Sequence, residues 1–239
     1  MSEINTKTQA LTEDAHFNMY RRMPITLLSG AGCKVTDSEG KEYIDALAGI
    51  AVNALGHAHP KIVEALHEQA GKLIHVSNIY FNAPQSALAK ILTEVSGLDK
   101  AYFCNSGAEA NEGAIKLARK YAHNKSKKGI IVSMENCFHG RTLATITMGS
   151  AKYQKGFDPL PEGFRQVPFN DFSALQKLKE KEEIIAVFIE PVQGEGGIRP
   201  ADIEYLQQVR KWCSENDILL VFDEIQCGIG RTGKMFAFE

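Results

Sequence analysis

Three things are missing from this 239-residue chain, and each absence closes off a class of function. No apolar run approaches the ~20 residues that a membrane-spanning helix requires. The polar, mildly acidic start, MSEINTKTQALTEDAHF, has no signal-peptide core. Charge of one sign is also lacking: 27 Lys and Arg against 29 Asp and Glu leave a formal charge of -2, which gives nucleic acid or an anionic membrane little to hold. The one basic cluster, Lys125, Lys127 and Lys128 beside Ser126 and Gly129, reads as a solvated turn. Cysteine pairing is the third absence. Cys33, Cys104, Cys137, Cys213 and Cys227 are odd in number, unevenly spaced and without a C-x-x-C pair. That excludes a disulfide framework and points to a reducing cytoplasm, with the thiols serving as small buried residues.

Repeats and low-complexity linkers are absent as well. What remains is a globular composition, 44% hydrophobic and 23% charged, enough for one large domain or one and a half ordinary ones. After Pro60 the chain alternates helical and apolar strand patterns, the signature of a mostly parallel α/β sheet with helices on both faces. Leu88, Ile91, Leu92 and Val95 form a helical face behind Pro84, closed by Gly97. A short strand is expected at 101–104, followed by a helix with face Ala110, Ala114, Leu117, Ala118 and Tyr121. Further strands are expected at 129–133, 184–189 and 218–222, with helices after Gly140, near 171–181 and near 201–215. The strand-like GCKVTDSEGKEYID, turning at Ser38-Glu39-Gly40, belongs to a smaller N-terminal unit. The expected division is residues 1–59 for that unit and 60–239 for an incomplete large domain. The apolar ending, GKMFAFE, reads as an interruption, so the chain is expected to be a fragment.

The chemistry gathers where strands should end. Residues 218–222 are apolar without alternation, as in a central strand covered on both faces, and Asp223 follows at the edge where open α/β sheets bind ligands. A carboxylate there needs a cation or several donors, and a protonated pyridine nitrogen would serve. In FCNSGAEANEGAIKLARK, Ser106, Gly107 and Ala108 open a helix whose free N–H groups suit a phosphate. The same residues also spell an ordinary Ser106-to-Glu109 capping box, and Glu109 opposes an anion unless it points away. In ENCFHGRT, Phe138 has a flat face for an aromatic ring and Arg141 can grip a carboxylate; a core Phe and a surface Arg fit equally. His139 is a weaker candidate base. IEPVQGEGG adds Glu190 at a second strand end and Glu195 in a Gly-rich loop, a pair that alone would also suit a glycosidase.

Three decoys fall away. Gly228, Gly230 and Gly233 spell G-x-G-x-x-G, but too little chain follows for the ribose-binding acid, and Met235 stands where a P-loop needs a hydroxyl. His57 and His59 lack a third metal ligand, and Pro60 marks a helix entry instead, so no metal is expected.

In series, GIAVNALGHAHP, NSGAEANE, FHGRT, EPVQGEGG and FDEIQCGIGRTG resemble the motifs of the class III, pyridoxal-phosphate-dependent aminotransferases, in that family's order and from about Met19 to Glu239. The resemblance implies a fold type I transferase, pyridoxal 5'-phosphate as cofactor and a homodimer when full length. It implies an amino donor such as N-acetylornithine, with 4-aminobutyrate, ornithine or succinylornithine as alternatives, and a 2-oxo acid acceptor. By position, Ser106, Gly107 and Ala108 would meet the phosphate, Phe138 the ring, Asp223 the pyridine nitrogen and Gln226 the ring hydroxyl. Arg141 would clamp the substrate carboxylate, Glu195 would help the site alternate between substrates, and Tyr20 would line the entrance. The family's Schiff-base lysine lies beyond Glu239, and Lys234 in the GRTGK turn is no substitute, so this chain alone is expected to be inactive. A catalytically silent relative and a phosphate-binding hydrolase remain the competing classes. The nearest test of the whole reading is spatial: Asp223 must be inward-facing and close to the loop bearing Gly107.

Overall fold

The apolar runs become adjacent strands of one parallel sheet. In the computed structural model, which describes residues 2–239, the chain divides into two units between Asn82 and Ala83. The first unit opens with helix α1 (Glu3–Ala15), capped by Ser2, whose Oγ accepts the Asn5 N–H. Strands β1 (Leu27–Ala31), β2 (Lys34–Asp37) and β3 (Glu42–Ile44) form an antiparallel sheet in sequence order, followed by the short α2 (Ala48–Ala51) and by α3 (Pro60–Ala70). The expected turn forms because Asp37 Oδ1 accepts the N–H groups of Glu39 and Lys41, while Tyr43 donates its hydroxyl to Oδ2. His57 pairs with Asp45 at 2.7 Å, and Pro60 begins α3 behind His59, so the HAHP segment is used structurally.

The second unit runs α4 (Ala83–Ser96), α5 (Gly107–Asn124), β4 (Ile130–Met134), α6 (Leu143–Met148), β5 (Phe164–Val167), α7 (Phe172–Lys179) and β6 (Ile184–Ile189). It continues with a small antiparallel ribbon, β7 (Val192–Gln193) and β8 (Arg199–Pro200), then α8 (Ile203–Glu215) and β9 (Leu219–Phe222). The main sheet has the order β5-β4-β6-β9, with every pairing parallel. Each face carries its own core. Val132, Met134, Val187 and Ile189 pack with Leu175 of α7 and Tyr205, Val209 and Cys213 of α8. Ile131, Ala186 and Phe188 pack with Ile115, Ala118 and Ala122 of α5 and Met148 of α6. A bulge opposite Ile130 and Ile131 puts Ile185 and Ala186 on the same side, which is why β6 breaks strict alternation. Phe188 is fully buried in this layer. Its replacement by Ala should cost about 3–5 kcal/mol, read as a lowered urea midpoint; an unchanged midpoint would show that the α5–α6 layer does not hold the sheet.

Several expectations need correction. Residues 101–104 are not a strand, because no neighbouring strand pairs with them. β9 is a half-buried edge strand of the described sheet and not a central one; the fully buried centre is taken by β4 and β6. The buried stripe of α5 is Asn111, Ile115, Ala118 and Ala122, rotated from the expected face, with Leu117 exposed. Lys125 and Lys127 are more than a solvated turn, since each ammonium lies 2.7 Å from Asp217. Cys33 and Cys104 are exposed, whereas Cys137, Cys213 and Cys227 are buried as expected. Among the described residues, no helix is long and apolar enough to cross a membrane.

Candidate active site

Because β4, β6 and β9 run parallel, the loops that follow them emerge along one edge, and each carries a candidate segment: 135–141, 190–196 and 223–226. The N-terminus of α5 joins them. A methyl group on Gly107 would lie 2.8 Å from the Ile225 side chain, so the phosphate-type turn packs directly beside the Asp223 loop. Gly140 (φ +130°) lies against Ala108, where a methyl would sit 2.7 Å from the Ala108 Cβ. Gln226 extends its amide oxygen over Gly194, leaving no room there for any side chain. Four segments distant in sequence therefore converge.

Asp223 is the best-held group among them. It is only 7% exposed. Its Oδ2 accepts from His139 Nδ1 at 2.7 Å and from Asn111 Nδ2 at 2.8 Å, while Oδ1 accepts the Ile225 N–H at 3.1 Å. Asn111 also donates to the His139 carbonyl, which ties α5 to the β4 loop. Burial works against the charge of His139, but the hydrogen bond it donates to Asp223, with a smaller contribution from Cys137, overrides it and pushes the imidazole up to about 10. Its Nε2 has no hydrogen-bond partner among the described residues. Glu190 accepts the Phe138 N–H at 3.2 Å, and burial pushes its carboxyl up to about 7 even with His139 nearby. A ring nitrogen of His139, the Cys137 sulfur and a Glu190 oxygen lie within 4.8 Å of one another, a cluster that the sequence reading did not foresee.

The capping box is real and leaves the helix end free. Ser106 Oγ accepts the Glu109 N–H, and the Glu109 carboxylate turns back to Asn105, bonding its N–H at 2.6 Å and its side-chain amide at 3.0 Å. The first-turn N–H groups of Gly107 and Ala108 have no partner within the helix. Phe138 is half-buried, and its ring meets Tyr153 edge-on at 5.6 Å. The Arg141 guanidinium lies 4.0 Å from the Tyr153 ring centroid and 5.6 Å from that of Phe138. Glu195 is exposed in the loop between β7 and β8 and makes no hydrogen bond or ion pair among the described residues. Tyr20 belongs to the first unit, exposed, with Arg22 over its ring at 5.8 Å.

This donor set suits a phosphorylated pyridine. It offers two free N–H groups at a helix start, a flat phenyl ring, and a buried carboxylate whose Oδ1 carries only one long hydrogen bond. Asn111 and His139 are the residues that sequence reasoning undervalued. The available signal was Asn111 itself: a polar side chain on an otherwise apolar helical stripe requires a buried partner.

A parallel sheet flanked by helices is the fold of the solved aminotransferase structures it matches, and the family profile for "Aminotransferase class-III" matches residues 17–239. The chain belongs to the class-III aminotransferase family. It is 56% identical over 232 residues to acetylornithine aminotransferase of Methanocaldococcus jannaschii, covering 96% of this chain and 58% of that protein. The corresponding Nostoc enzyme is 54% identical, over 92% of this chain and 53% of its own length. Among solved structures, N-acetylornithine aminotransferase from Stenotrophomonas maltophilia superposes with a TM-score of 0.80 at 40% identity, covering 95% of this chain and 56% of that one. Ornithine aminotransferase from Toxoplasma gondii gives a TM-score of 0.93 at 31% identity, over 98% and 56%. The chain thus spans a little over half the length of the relatives it matches.

Proposed function

We propose that the full-length protein is a pyridoxal-phosphate-dependent aminotransferase that takes the terminal amine of N-acetylornithine and delivers it to 2-oxoglutarate, giving glutamate. The observation that carries this is Asp223, buried at the end of β9, held by His139 and Asn111, and adjacent to the open N-terminus of α5. The name shared by the similar curated proteins supports the choice of donor. When bound, the cofactor supplies the electron sink that transamination needs.

The chain's own residues divide the remaining work. Ser106, Gly107 and Ala108 would hold the phosphate, Phe138 would cover the ring, and Gln226 would meet the ring hydroxyl. Asp223 would keep a proton on the pyridine nitrogen, because a buried carboxylate beside the ring would stabilise its charged form. His139 and Asn111 orient that carboxylate through the two hydrogen bonds they donate to its Oδ2. Arg141 grips the donor's α-carboxylate through its planar fork. Glu195, exposed and without a hydrogen bond or ion pair among the described residues, is free to exchange partners as the two substrates alternate. Residues 1–59 are assigned to the small domain and 60–239 to the cofactor domain. We further assign the protein to the reducing cytoplasm, which its unpaired cysteines support. A two-fold homodimer is supported by large apolar side chains left in the open, including Ile74, Ile79 and Phe81.

The test is a comparison of kcat/KM for N-acetylornithine, ornithine, succinylornithine and 4-aminobutyrate with 2-oxoglutarate, using the full-length enzyme supplied with pyridoxal phosphate. N-acetylornithine should lead. A higher value for another donor overturns the substrate, and no glutamate from any donor overturns the aminotransferase reading.

A further inference from the structure

Arg141 poses a positioning problem. It is exposed, and no acid or carbonyl among the described residues pairs with its guanidinium. A free arginine side chain samples many rotamers, and fixing it at the moment of binding costs affinity. Tyr153 offers a fixed support. Its ring centroid lies 4.0 Å from the guanidinium carbon, a stacking distance, and the ring is braced edge-on by Phe138. The short 3-10 turn that carries it, Ala151–Tyr153, is pinned by the next residue. Gln154 donates its side-chain amide to the carbonyls of Ile146, Thr147 and Gly149 at the end of α6. Arg141 enters α6 and Tyr153 leaves it, so the Gln154 bonds fix the ring relative to the arginine. Lys152 also approaches this ring, at 4.6 Å, but its compact ammonium lacks the flat face that makes Arg141 a stacking partner. The Tyr153 hydroxyl makes no hydrogen bond among the described residues, which leaves the aromatic face as its contribution.

We propose that Tyr153 is a positioning residue for the substrate: its ring preorganises Arg141 and thereby sets the affinity for the donor's α-carboxylate. The proposal rests on the reading of Arg141 as the carboxylate clamp.

The experiment uses the full-length holoenzyme and two donors that differ only in the carboxylate, N-acetylornithine and N-acetylputrescine. A non-reacting ligand, N-acetylnorvaline, gives an affinity by calorimetry that does not depend on turnover. Tyr153→Leu should raise the KM for N-acetylornithine and the Kd for N-acetylnorvaline about tenfold, a loss of roughly 1.4 kcal/mol. Its kcat, and its KM for N-acetylputrescine, should change less than about twofold. Tyr153→Phe should behave as wild type, and Tyr153→Met, which keeps bulk without the ring face, should follow Leu and serves if Leu fails to fold. Equal losses for both donors, or a Phe variant as weak as Leu, overturn the proposal. Arg141→Met separates the two layers. If it shows no carboxylate-specific loss, the clamp reading itself fails; if it does and Tyr153→Leu does not, only the role of Tyr153 fails.

Discussion

Asp223→Ala should lower kcat/KM of the full-length enzyme by roughly 10²–10⁴-fold while leaving the secondary structure intact. The magnitude follows from the pairing. Removing one partner of a buried charge pair costs about 3–5 kcal/mol, and each ~1.4 kcal/mol is a factor of ten. Here the lost partner is the group proposed to hold a proton on the cofactor nitrogen. Its removal also leaves His139 Nδ1 and one of the two Asn111 Nδ2 hydrogens without an acceptor. Asp223→Asn sharpens the test. It preserves size and one oxygen acceptor but removes the charge, so it should lose nearly as much activity as Ala at a smaller loss of stability. Steady-state kinetics and a thermal melt on the same samples separate the two effects. An Asn variant with near wild-type turnover would remove Asp223 from the chemistry and leave it a structural acid.

How much of this was legible beforehand depends on the range of the interaction. The capping box of α5, the turn around Gly40 and the buried run of β6 are local patterns, set by spacing within a few residues, and each appears where its pattern puts it. The parallel order that brings Glu190 and Asp223 to neighbouring strand ends follows from alternating helices and strands. Long-range facts were not legible in the same way. Whether residues 101–104 become a strand depends on having a partner, and whether β9 is central depends on what lies beyond it in the sheet. The register of α5 against the sheet decides that Asn111 faces inward and Leu117 outward, although both sit on plausible helical faces. Asp217 lies some ninety residues from the two lysines it holds, and no spacing rule reaches that far. The site shows the same split. The loops carrying Gly107, Phe138 and Asp223 could be picked out singly, but the hydrogen bonds joining Asp223 to Asn111 and His139, and the stack of Arg141 on Tyr153, exist only once the sheet is assembled.

The second large effect concerns His139, whose folded-state imidazole is pushed up to about 10 from an ordinary 6.5. A raised value means that the folded protein binds this proton more tightly than the unfolded chain does. The resulting stabilisation is fully present below pH 6.5 and is lost as pH rises through about 10. Glu190 adds a fall in the same direction at lower pH. Its carboxyl is raised from 4.5 to about 7, so ionising it across that window weakens the fold. His139→Leu removes the first contribution altogether and strands Asp223 as a buried carboxylate with only neutral donors. At pH 6.5 the variant should therefore be about 3–5 kcal/mol less stable than wild type, and the gap should narrow as pH approaches 10. Melting temperatures of the two proteins, measured from pH 6 to 10, give that difference directly and cancel the titrations they share. Turnover should track it, because the charge on Asp223 is useful to the ring nitrogen only while the carboxylate is held in place. A gap that stays constant with pH would mean that His139 is neutral in the fold and acts as a simple hydrogen-bond donor. The electrostatic account of the Asp223 site would then have to be rebuilt around three neutral donors, His139, Asn111 and the Ile225 N–H.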